Sequence, residues 1–430
     1  MKKIIQLKLK ILAKMIVAKY QPKVIGITGS VGKTSAKEAV YTVLNSKFNV
    51  RRSVKNYNNE IGVPLTIIGS DSPGKCLIGW IGVFLRAMRL ILRHDPHYPK
   101  VLVLEMGIDK PLDMDYLLSI VSPDIGVVTA VGSVHLENFG TQNNLQKEKS
   151  KMIAGVKKDG YSIINFDNKQ TLDMKDLSRA KVLTFGMEKG ADVSAIEARF
   201  SFGPKNSQRI EGISFKMIHS GSTVPCYLPA AIGYNSIYAS LVAASVGIAM
   251  KMNLLEISAA LKNFQSPKGR MNLIEGIKKT YIIDDTYNSE PKSVLMGLET
   301  VAKFPIESGA KKFVILGDML ELGRDSVEKH KEIGRKLAEI KINILITSGE
   351  RSRDIGRGAE EAGMNSDYIF HFATSKEAGI FVQDRISQGD LVYVKGSQGA
   401  RMEKTVLEIM ADPLRAEDLL VRQGKEWKNK

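Results

Sequence analysis

Apolar and polar positions alternate between strand-like runs and helix-like periods over most of the chain. Helical stretches separate the apolar runs, and this order favours a mainly parallel sheet with helices on both faces. A less regular β segment follows at 191–228, and a helix is predicted at 238–250. The predicted strands of this first sheet are 24–28, 101–105, 125–129, 162–165 and 182–185.

The pattern breaks at the Pro/Gly-containing segment 265–270, and a second α/β alternation begins there. Domain boundaries tend to fall in such linkers. The fold class is therefore α/β: a central P-loop-type, mainly parallel sheet domain followed by a Rossmann-like α/β C-terminal domain. We expect an N-terminal helix at 1–22, a central domain at 23–268 and a C-terminal domain at 269–430. The predicted strands of the last domain are 281–283, 313–316, 344–347 and 391–394.

The N-terminal helix is basic and amphipathic. One face carries Ile5, Leu9, Leu12 and Ile16, and another carries Lys3, Lys10 and Lys14. Two interpretations stay open: the apolar stripe packs on the central domain, or the helix makes a peripheral contact with a membrane. Lysines interrupt the helix and no small-residue cleavage site follows it, so we do not expect a signal peptide.

Composition excludes several classes of protein. The net charge of +16 favours anionic partners, but the sequence shows no nucleic-acid module, and we expect no nucleic-acid partner. The two cysteines, Cys76 and Cys226, lack metal-site spacing and fit a reducing cytoplasm, where we expect the protein to act. No apolar stretch reaches the length of a membrane span. We expect a monomer.

The strongest chemical signal is the segment VIGITGSVGKTS at 24–35, a strand that passes through a glycine turn into a helix. Gly29 and Gly32 allow backbone N–H groups to approach a polyphosphate, and Lys33 can reach its outer phosphates. The hydroxyl of Thr34 or Ser35 stands where a P-loop presents a Mg²⁺ ligand. The strict P-loop spacing is missed by one residue, because Ile27 stands where the first glycine would be. The alternative is a tight turn with an exposed lysine.

Candidate acids, bases and ligands follow other predicted strands. Glu105 ends one strand and either holds Mg²⁺ or simply ends the strand, and His135 follows the next strand as a ligand or a structural residue. On its own, Lys149 is typical of an exposed, charged helical turn. In the last domain, Asp285 and Lys395 end strands in positions that suit either a site or ordinary loop chemistry.

Taken together, these segments resemble the Mur ligase family, most closely its branch that adds D-alanyl-D-alanine to a muramyl tripeptide. The resemblance covers about 23–410. The shared motifs, in family order, are GITGSVGKTS, KNYNNEIGVPL, LEMG, GSVHLENFG, KEK, GR at 269–270, IDDTYNSEP, LGDMLELG with a following histidine, and KGSQG.

The resemblance implies an ADP-forming amide ligase with ATP and Mg²⁺. Its substrates would be a small-molecule cell-wall precursor with a peptide carboxylate, activated as an acyl phosphate, and an amino acid or dipeptide, D-Ala-D-Ala in this branch. Alternatives are the same chemistry on a lipid-linked or polyglutamate-like acceptor, or a nucleotide-binding subunit without catalysis. The branch also carries an N-terminal domain that grips uridine diphosphate, whereas the ATPase strand here begins near residue 24. UDP recognition therefore stays open, and the apolar-basic segment 70–98 is either its substitute or a buried helix.

The resemblance also assigns residues. Lys33, His135 and Lys149 would be catalytic, with Lys149 as a carbamylated lysine, and Thr34, Glu105, His135 and Lys149 would serve two magnesium ions. The nucleotide would be contacted by Thr28, Gly29, Ser30, Val31, Gly32, Lys33, Thr34, Ser35, Asn235, Arg270 and Asp285. The substrates would be contacted by Asn56, Asn58, Asn59, Asn288 and Lys395. The chain departs from the family at Thr129-Ala130 and at 232–238, where only Asn235 of the usual asparagines is kept.

Overall fold

The computed structural model describes residues 2–54, 57–132, 136–202, 210–424 and 427. It divides into two compact units. Unit 1 comprises 1–198, 215–227 and 237–264, and unit 2 comprises 199–214, 228–236 and 265–430. No helix in the described ranges combines the length and the apolar content that crossing a membrane requires.

Fifteen strands form two sheets over the described residues. The strands of the first sheet are β1 Lys23–Thr28, β2 Val50–Arg52, β3 Val101–Glu105, β4 Ile125–Val128, β5 Tyr161–Asn165, β6 Lys181–Gly186, β7 Val193–Phe202, β8 Ile210–His219 and β9 Ser222–Pro229. Those of the second are β10 Asn272–Glu275, β11 Tyr281–Asp285, β12 Lys312–Gly317, β13 Ile344–Ser348, β14 Ile369–Phe372 and β15 Leu391–Lys395.

The helices alternate with these strands. Those before residue 265 are α1 Lys2–Tyr20, α2 Lys33–Asn45, α3 Gly62–Ile68, α4 Leu77–Leu92, α5 Asp113–Leu118, α6 Leu136–Phe139, α7 Gln142–Ala154, α8 Lys169–Leu172, α9 Tyr234–Ala249 and α10 Leu254–Leu261. The later ones are α11 Pro291–Lys303, α12 Ser326–Glu339, α13 Arg353–Glu361, α14 Ser375–Gln383, α15 Glu403–Ile409 and α16 Ala416–Leu419.

The first sheet has the order β2-β3-β1-β4-β5-β6-β7-β8-β9, and the second has β10-β11-β15-β12-β13-β14. The pairs from β2 to β7 are parallel, and in the second sheet only β10 pairs antiparallel. The predicted α/β class is confirmed. Strand order reverses around β1, and ligands of open α/β sheets bind where such a reversal opens a crevice at the carboxyl edge.

The predicted strands all form, with small shifts of their ends, while β2, β10 and β14 were not predicted. These three strands are three or four residues long and lie at or near sheet edges, where little apolar periodicity is needed. The segment predicted as irregular forms the long strands β7 to β9, apart from 203–209, which lie outside the described residues.

The core of the second sheet shows why its strands are apolar throughout. Tyr393 points into one hydrophobic cluster, whereas its neighbours Val392 and Val394 point into another. Successive strand residues face opposite sides of a sheet, so both faces of β15 are buried.

In unit 1, α1 packs its predicted stripe onto the domain core. Leu9 and Ile16 are fully buried, and Ile5 and Leu12 are partly buried against the same cluster. This confirms the packing interpretation for that stripe.

We predict that Ile16→Ala lowers the free energy of unfolding of unit 1 by about 2–4 kcal/mol, because it leaves a cavity in the core. Urea denaturation would be followed by Trp80 fluorescence in a Trp427→Phe background, since Trp80 lies in the same cluster. Ile4→Ala on the same helix, where Ile4 is 61% exposed, is the matched control and should change stability by less than about 0.5 kcal/mol. Equal losses in the two variants would contradict this packing.

Candidate active site

The glycine turn after β1 is held tightly against the strand beside it. Gly29 has a φ of 149°, and a Cβ there would lie 2.0 Å from Thr129 Oγ1. The Thr129 hydroxyl donates to the carbonyl of Val31 at 2.5 Å, and the Ser30 N–H donates to the carbonyl of Ala130 at 2.7 Å. Gly29 is therefore required by both backbone conformation and space. The contacts of Thr129 and Ala130 fix the shape of the turn.

The turn ends at α2 with its polar groups ready for an anion. The ammonium of Lys33 donates to the carbonyls of Gly29 at 2.6 Å and of Ser30 at 3.3 Å. The hydroxyls of Thr28 and Ser30 are buried and have no hydrogen-bond partner among the described residues. Buried hydroxyls are normally hydrogen-bonded, so this turn has capacity for a polar ligand. The N-terminus of α2, where Gly32 has a φ of 83°, adds a site that favours negative charge.

Glu105 lies beside the turn because Ile27 of β1 pairs with it in register. Its carboxylate accepts from the Thr34 hydroxyl at 3.2 and 3.3 Å and from the Asn58 amide at 3.3 Å. The buried ammonium of Lys37 lies 3.6 Å from the same carboxylate and 3.3 Å from Glu38. The sequence analysis missed Lys37, although its position one helical turn after Lys33 puts it on the same face of α2.

A threonine hydroxyl and one carboxylate beside a turn that can accept an anion suit Mg²⁺. This ion is usually held by one or two carboxylates together with substrate phosphates and water rather than by an all-protein cage. Within the described ranges, no three His, Cys, Asp or Glu side chains cluster as a metal site. The predicted ligand His135 lies outside the described residues, as does Asn56.

Lys149 is buried on α7, contrary to the exposed turn that its local sequence alone suggests. Met152, three residues later, packs its sulfur against Gly26 of β1. Residues three apart share a helix face, so Lys149 points toward the same sheet, one turn nearer the start of α7. Its neighbour Glu148 accepts from the Met114 N–H at 2.9 Å and from Lys151 at 2.6 Å.

Unit 2 has a second polar cluster at the carboxyl ends of β11 and β15. Asp285 and Lys395 pair in register, and the ammonium donates to the carboxylate at 2.7 Å and to the carbonyl of Asn288 at 2.9 Å. The Tyr393 hydroxyl donates to Asp285 at 3.1 Å. Burial lowers the pKa of Lys395, while Asp285 opposes that shift. Burial also raises the pKa of Tyr393 well above its ordinary value.

The remaining predicted residues have varied positions. Arg270 stacks on the Tyr287 ring at 4.2 Å within unit 2, and Asn235 lies in the first turn of α9. The Asn59 side chain accepts from the N–H groups of Ile61 at 3.2 Å and Gly62 at 3.0 Å, so it holds the backbone at the start of α3. The structure thus brings Lys33, Thr34, Glu105 and Asn58 together in unit 1, and Asp285, Asn288 and Lys395 in unit 2. The histidine after LGDMLELG is His330, which is buried and accepts from the Met319 N–H at 3.1 Å.

The strand order, the phosphate turn and the carboxylate beside it define an α/β protein with a P-loop-type nucleotide site. The chain belongs to the Mur ligase family: the model of the Mur ligase middle domain matches 27–72 and 87–246. The model of the Mur ligase glutamate ligase domain matches 269–398. Models of both the middle domain and the glutamate ligase domain of the family therefore match this chain.

The relatives compared below carry the same enzyme name. The chain is 27% identical over 403 residues to the UDP-N-acetylmuramoyl-tripeptide–D-alanyl-D-alanine ligase of Bacillus subtilis, covering 94% of this chain and 79% of that protein. It is 26% identical over 385 residues to the Escherichia coli ligase of the same name, covering 89% and 76%. Among solved structures, MurF ligase from Thermotoga maritima in complex with ADP has a TM-score of 0.76 at 25% identity, covering 94% and 83%.

The buried carboxyl group of Asp284, next to Asp285, should make the stability of unit 2 depend on pH. Burial raises its pKa to about 7, although the backbone N–H and hydroxyl of Thr286 donate to its carboxyl group and oppose the shift. As pH rises from about 4 to about 7, the unfolded chain loses this proton while the folded chain keeps it. Wild-type unit 2 should therefore lose up to about 4 kcal/mol relative to Asp284→Asn over this window.

Trp427 fluorescence in a Trp80→Phe background would follow the urea denaturation of unit 2 at each pH. Glu417→Gln, at an exposed position of the same unit, is the control and should follow the wild-type pH profile. Parallel profiles for wild type and Asp284→Asn would show that Asp284 is ionised in the folded protein.

Proposed function

We propose that this protein is an ATP-dependent, ADP-forming amide ligase that joins D-Ala-D-Ala, or a closely related amine, to the peptide carboxylate of a cell-wall precursor. The observation that carries the proposal is the phosphate turn with Lys33, Thr34 and Glu105 at the strand-order reversal of a Mur ligase chain. The shared name of its relatives supports the choice of substrates. The ADP complex of a similar structure supports the nucleotide.

In the proposed reaction, a carboxylate oxygen of the precursor attacks the γ-phosphorus of ATP, and the bond to the β-phosphate oxygen breaks to release ADP. The amine then attacks the carbonyl carbon of the acyl phosphate. The tetrahedral intermediate loses inorganic phosphate, which leaves with the proton of the amine. Binding both partners in one orientation removes much of the entropic barrier.

The residues of unit 1 suit the first step. The N–H groups of the turn and the start of α2 would bind the phosphates, with Lys33 released from its backbone carbonyls to neutralise the transferring phosphoryl group. Mg²⁺, when bound, would neutralise phosphate charge, and Thr34 and Glu105 are its proposed ligands. When the ion is absent, Lys37 would balance the charge of Glu105. His135 and a carbamate on Lys149 are the proposed further ligands.

In unit 2, Arg270 and Asp285 are the proposed nucleotide contacts, as is Asn235. Lys395 holds Asp285 in one orientation through its 2.7 Å contact, which supports a positioning role beside its proposed contact with substrate. Asn56, Asn58, Asn59 and Asn288 complete the proposed substrate set. The contacts of Asn59 at the start of α3 also give it a structural role.

The direct test incubates the full chain with ATP, Mg²⁺, D-Ala-D-Ala and a muramyl tripeptide, offered both with and without its UDP. Product masses and ADP are recorded, and D-Ala, L-Ala and L-Glu replace the dipeptide in parallel. We expect one ADP per amide bond and a product mass equal to the two substrates minus water. Release of ADP without an amide product from any pair would refute ligation.

Lys33→Ala should lower turnover at least about a hundredfold while leaving the fold intact, because this ammonium would stabilise charge in the transition state. Turnover is measured as ADP release in the ligation assay, and thermal unfolding checks the fold. Lys158→Ala removes an exposed lysine of the same unit and should retain wild-type activity. Near-normal ADP release from Lys33→Ala would remove the phosphate-binding assignment of the turn.

Lys149→Ala should be inactive, with partial rescue by acetate or formate, because a carbamate is an anionic oxygen ligand that a small carboxylate can imitate. NMR of protein equilibrated with ¹³C-bicarbonate should show a carbamate signal in wild type that Lys149→Ala lacks. Lys147→Ala, at an exposed position on the same helix, should keep both the signal and the activity. Full activity of Lys149→Ala would return this residue to a structural role.

A further inference from the structure

Helices α1 and α4 form one outer layer of unit 1, and we propose that this layer docks on an anionic phospholipid surface. Both helices bury one face in the same hydrophobic cluster. Leu9, Ala13 and Ile16 contribute from α1, and Trp80, Val83, Ala87 and Leu90 contribute from α4. The two helices therefore share an inner side, and their opposite faces share the outer side of the layer.

Contacts along their length show that the two helices lie side by side in similar directions. Near the middle of each helix, the Lys8 ammonium lies 5.9 Å from the centre of the Phe84 ring. Near their ends, Lys19 donates to the carbonyls of Leu90 at 2.9 Å and Ile91 at 2.8 Å. The Tyr20 hydroxyl donates to the carbonyl of Leu90 at 3.0 Å.

The outer face of this layer is apolar, which is unusual for a surface in contact with water. Each helix exposes a row of large apolar side chains at helical spacing, and Ile78 and Leu92 are 79% and 74% exposed. We call these rows the outer stripes; they comprise Ile4, Leu7, Ile11 and Met15 on α1, and Leu77, Ile78, Ile81, Leu85, Met88 and Leu92 on α4. The two stripes lie on the same side of neighbouring helices and make a largely apolar surface, with Lys8 and Lys19 along the line between them. Large exposed apolar surfaces mark interaction sites.

The outer stripe of α1 differs from the stripe recognised in the sequence. Ile5, Leu9, Leu12 and Ile16 face inward, while the stripe beginning at Ile4 faces outward. The helix is thus apolar on two opposite faces. Among the residues that the structure describes, packing accounts for the inner face and leaves the outer one exposed.

Basic side chains border the outer stripes. At about 100° per residue, Lys3 and Lys14 lie along one side of the α1 stripe, and Lys8 and Lys19 lie along the other. Exposed Arg89 lies along the side of the α4 stripe away from α1, and exposed Arg93 follows the last residue of the helix. Arg86 on the same side donates to the carbonyl of Ile68 at 3.2 Å. Neither helix contains an aspartate or a glutamate. The carboxylate of Glu60 meets α1 at Gln6, which lies on the inner half of the helix.

This combination fits a membrane surface better than a second copy of the chain. An amphipathic layer can bury its apolar stripe at the boundary of headgroups and acyl chains, while lysine and arginine reach the phosphates. Pairing the same face of two copies would bring two rows of like charges together. The proposed occupant is therefore a bilayer containing anionic phospholipid, and this docking does not depend on the proposed ligase activity.

The test is co-sedimentation of the full chain with vesicles of phosphatidylcholine alone or mixed with phosphatidylglycerol. We expect binding to the anionic vesicles that weakens as salt rises. The double variant Lys14→Glu/Arg89→Glu should reduce the bound-to-free ratio at least about thirtyfold. It removes two basic residues, each of which contributes about 1 kcal/mol of attraction near an anionic surface. Ile78→Glu should reduce it at least about tenfold, because it removes a buried apolar side chain from the docked state.

Matched controls distinguish docking through this face from the general effects of net charge and of an exposed apolar side chain. Lys262→Glu/Lys376→Glu makes the same change of net charge at exposed positions elsewhere, and Leu414→Glu replaces a side chain that is 95% exposed. Both controls should bind like wild type. All variants should keep the wild-type unfolding temperature, which shows that the fold is intact.

Two results would overturn the proposal. One is sedimentation that is equal with neutral and anionic vesicles, or absent from both. The other is a dimer, measured by light scattering, that Ile78→Glu abolishes while vesicles recover no protein; that result would assign the outer face to a second copy. If the protein binds vesicles but shows no ligase activity, that result would contradict the proposed function and leave the docking proposal intact.

Discussion

The arrangement of unit 1 depends on one buried carboxylate at the carboxyl edge of its sheet. Glu105 is only 4% exposed, and a buried anion needs compensation by charge and hydrogen bonds. Lys37 and Thr34 on α2 provide it together with Asn58 in the loop before α3. This carboxylate therefore holds the phosphate turn, the first helix after it and a neighbouring loop in one arrangement around the ligand crevice.

Unit 2 uses the same principle at its own carboxyl edge. Asp285 is compensated by Lys395 and Tyr393 on the adjacent strand, and the register of β11 with β15 brings the first two together. Removing one partner of a buried pair costs more than the pair contributes, because the other charge is left unpaired. Such pairs keep strand ends and the loops that follow them in fixed positions, which suits residues that must meet a ligand.

In the α1–α4 layer, the inner and outer faces of each helix have different roles. Its inner stripes contribute to the core of unit 1, and this packing holds the outer stripes and their basic borders side by side. A single helix would present only a narrow apolar band. Two helices fixed on one core present a broader surface without any need to fold on contact, so little ordering entropy opposes docking.

The sequence by itself determined the α/β class, the central parallel strands of both sheets, the glycine turn after β1 and the family, because these depend on local periodicity and on residues close together in the chain. It did not resolve the long strands β7 to β9, whose segment was predicted only as irregular β structure. It could not determine that Lys37 meets Glu105 or that Tyr393 meets Asp285, since strand order brings distant segments together. From its local sequence alone, Lys149 was predicted to lie in an exposed turn. The stripe beginning at Ile4 was not recognised. Burial depends on which elements pack against a helix, and only the tertiary structure decided that Lys149 faces the sheet and Ile4 faces solvent.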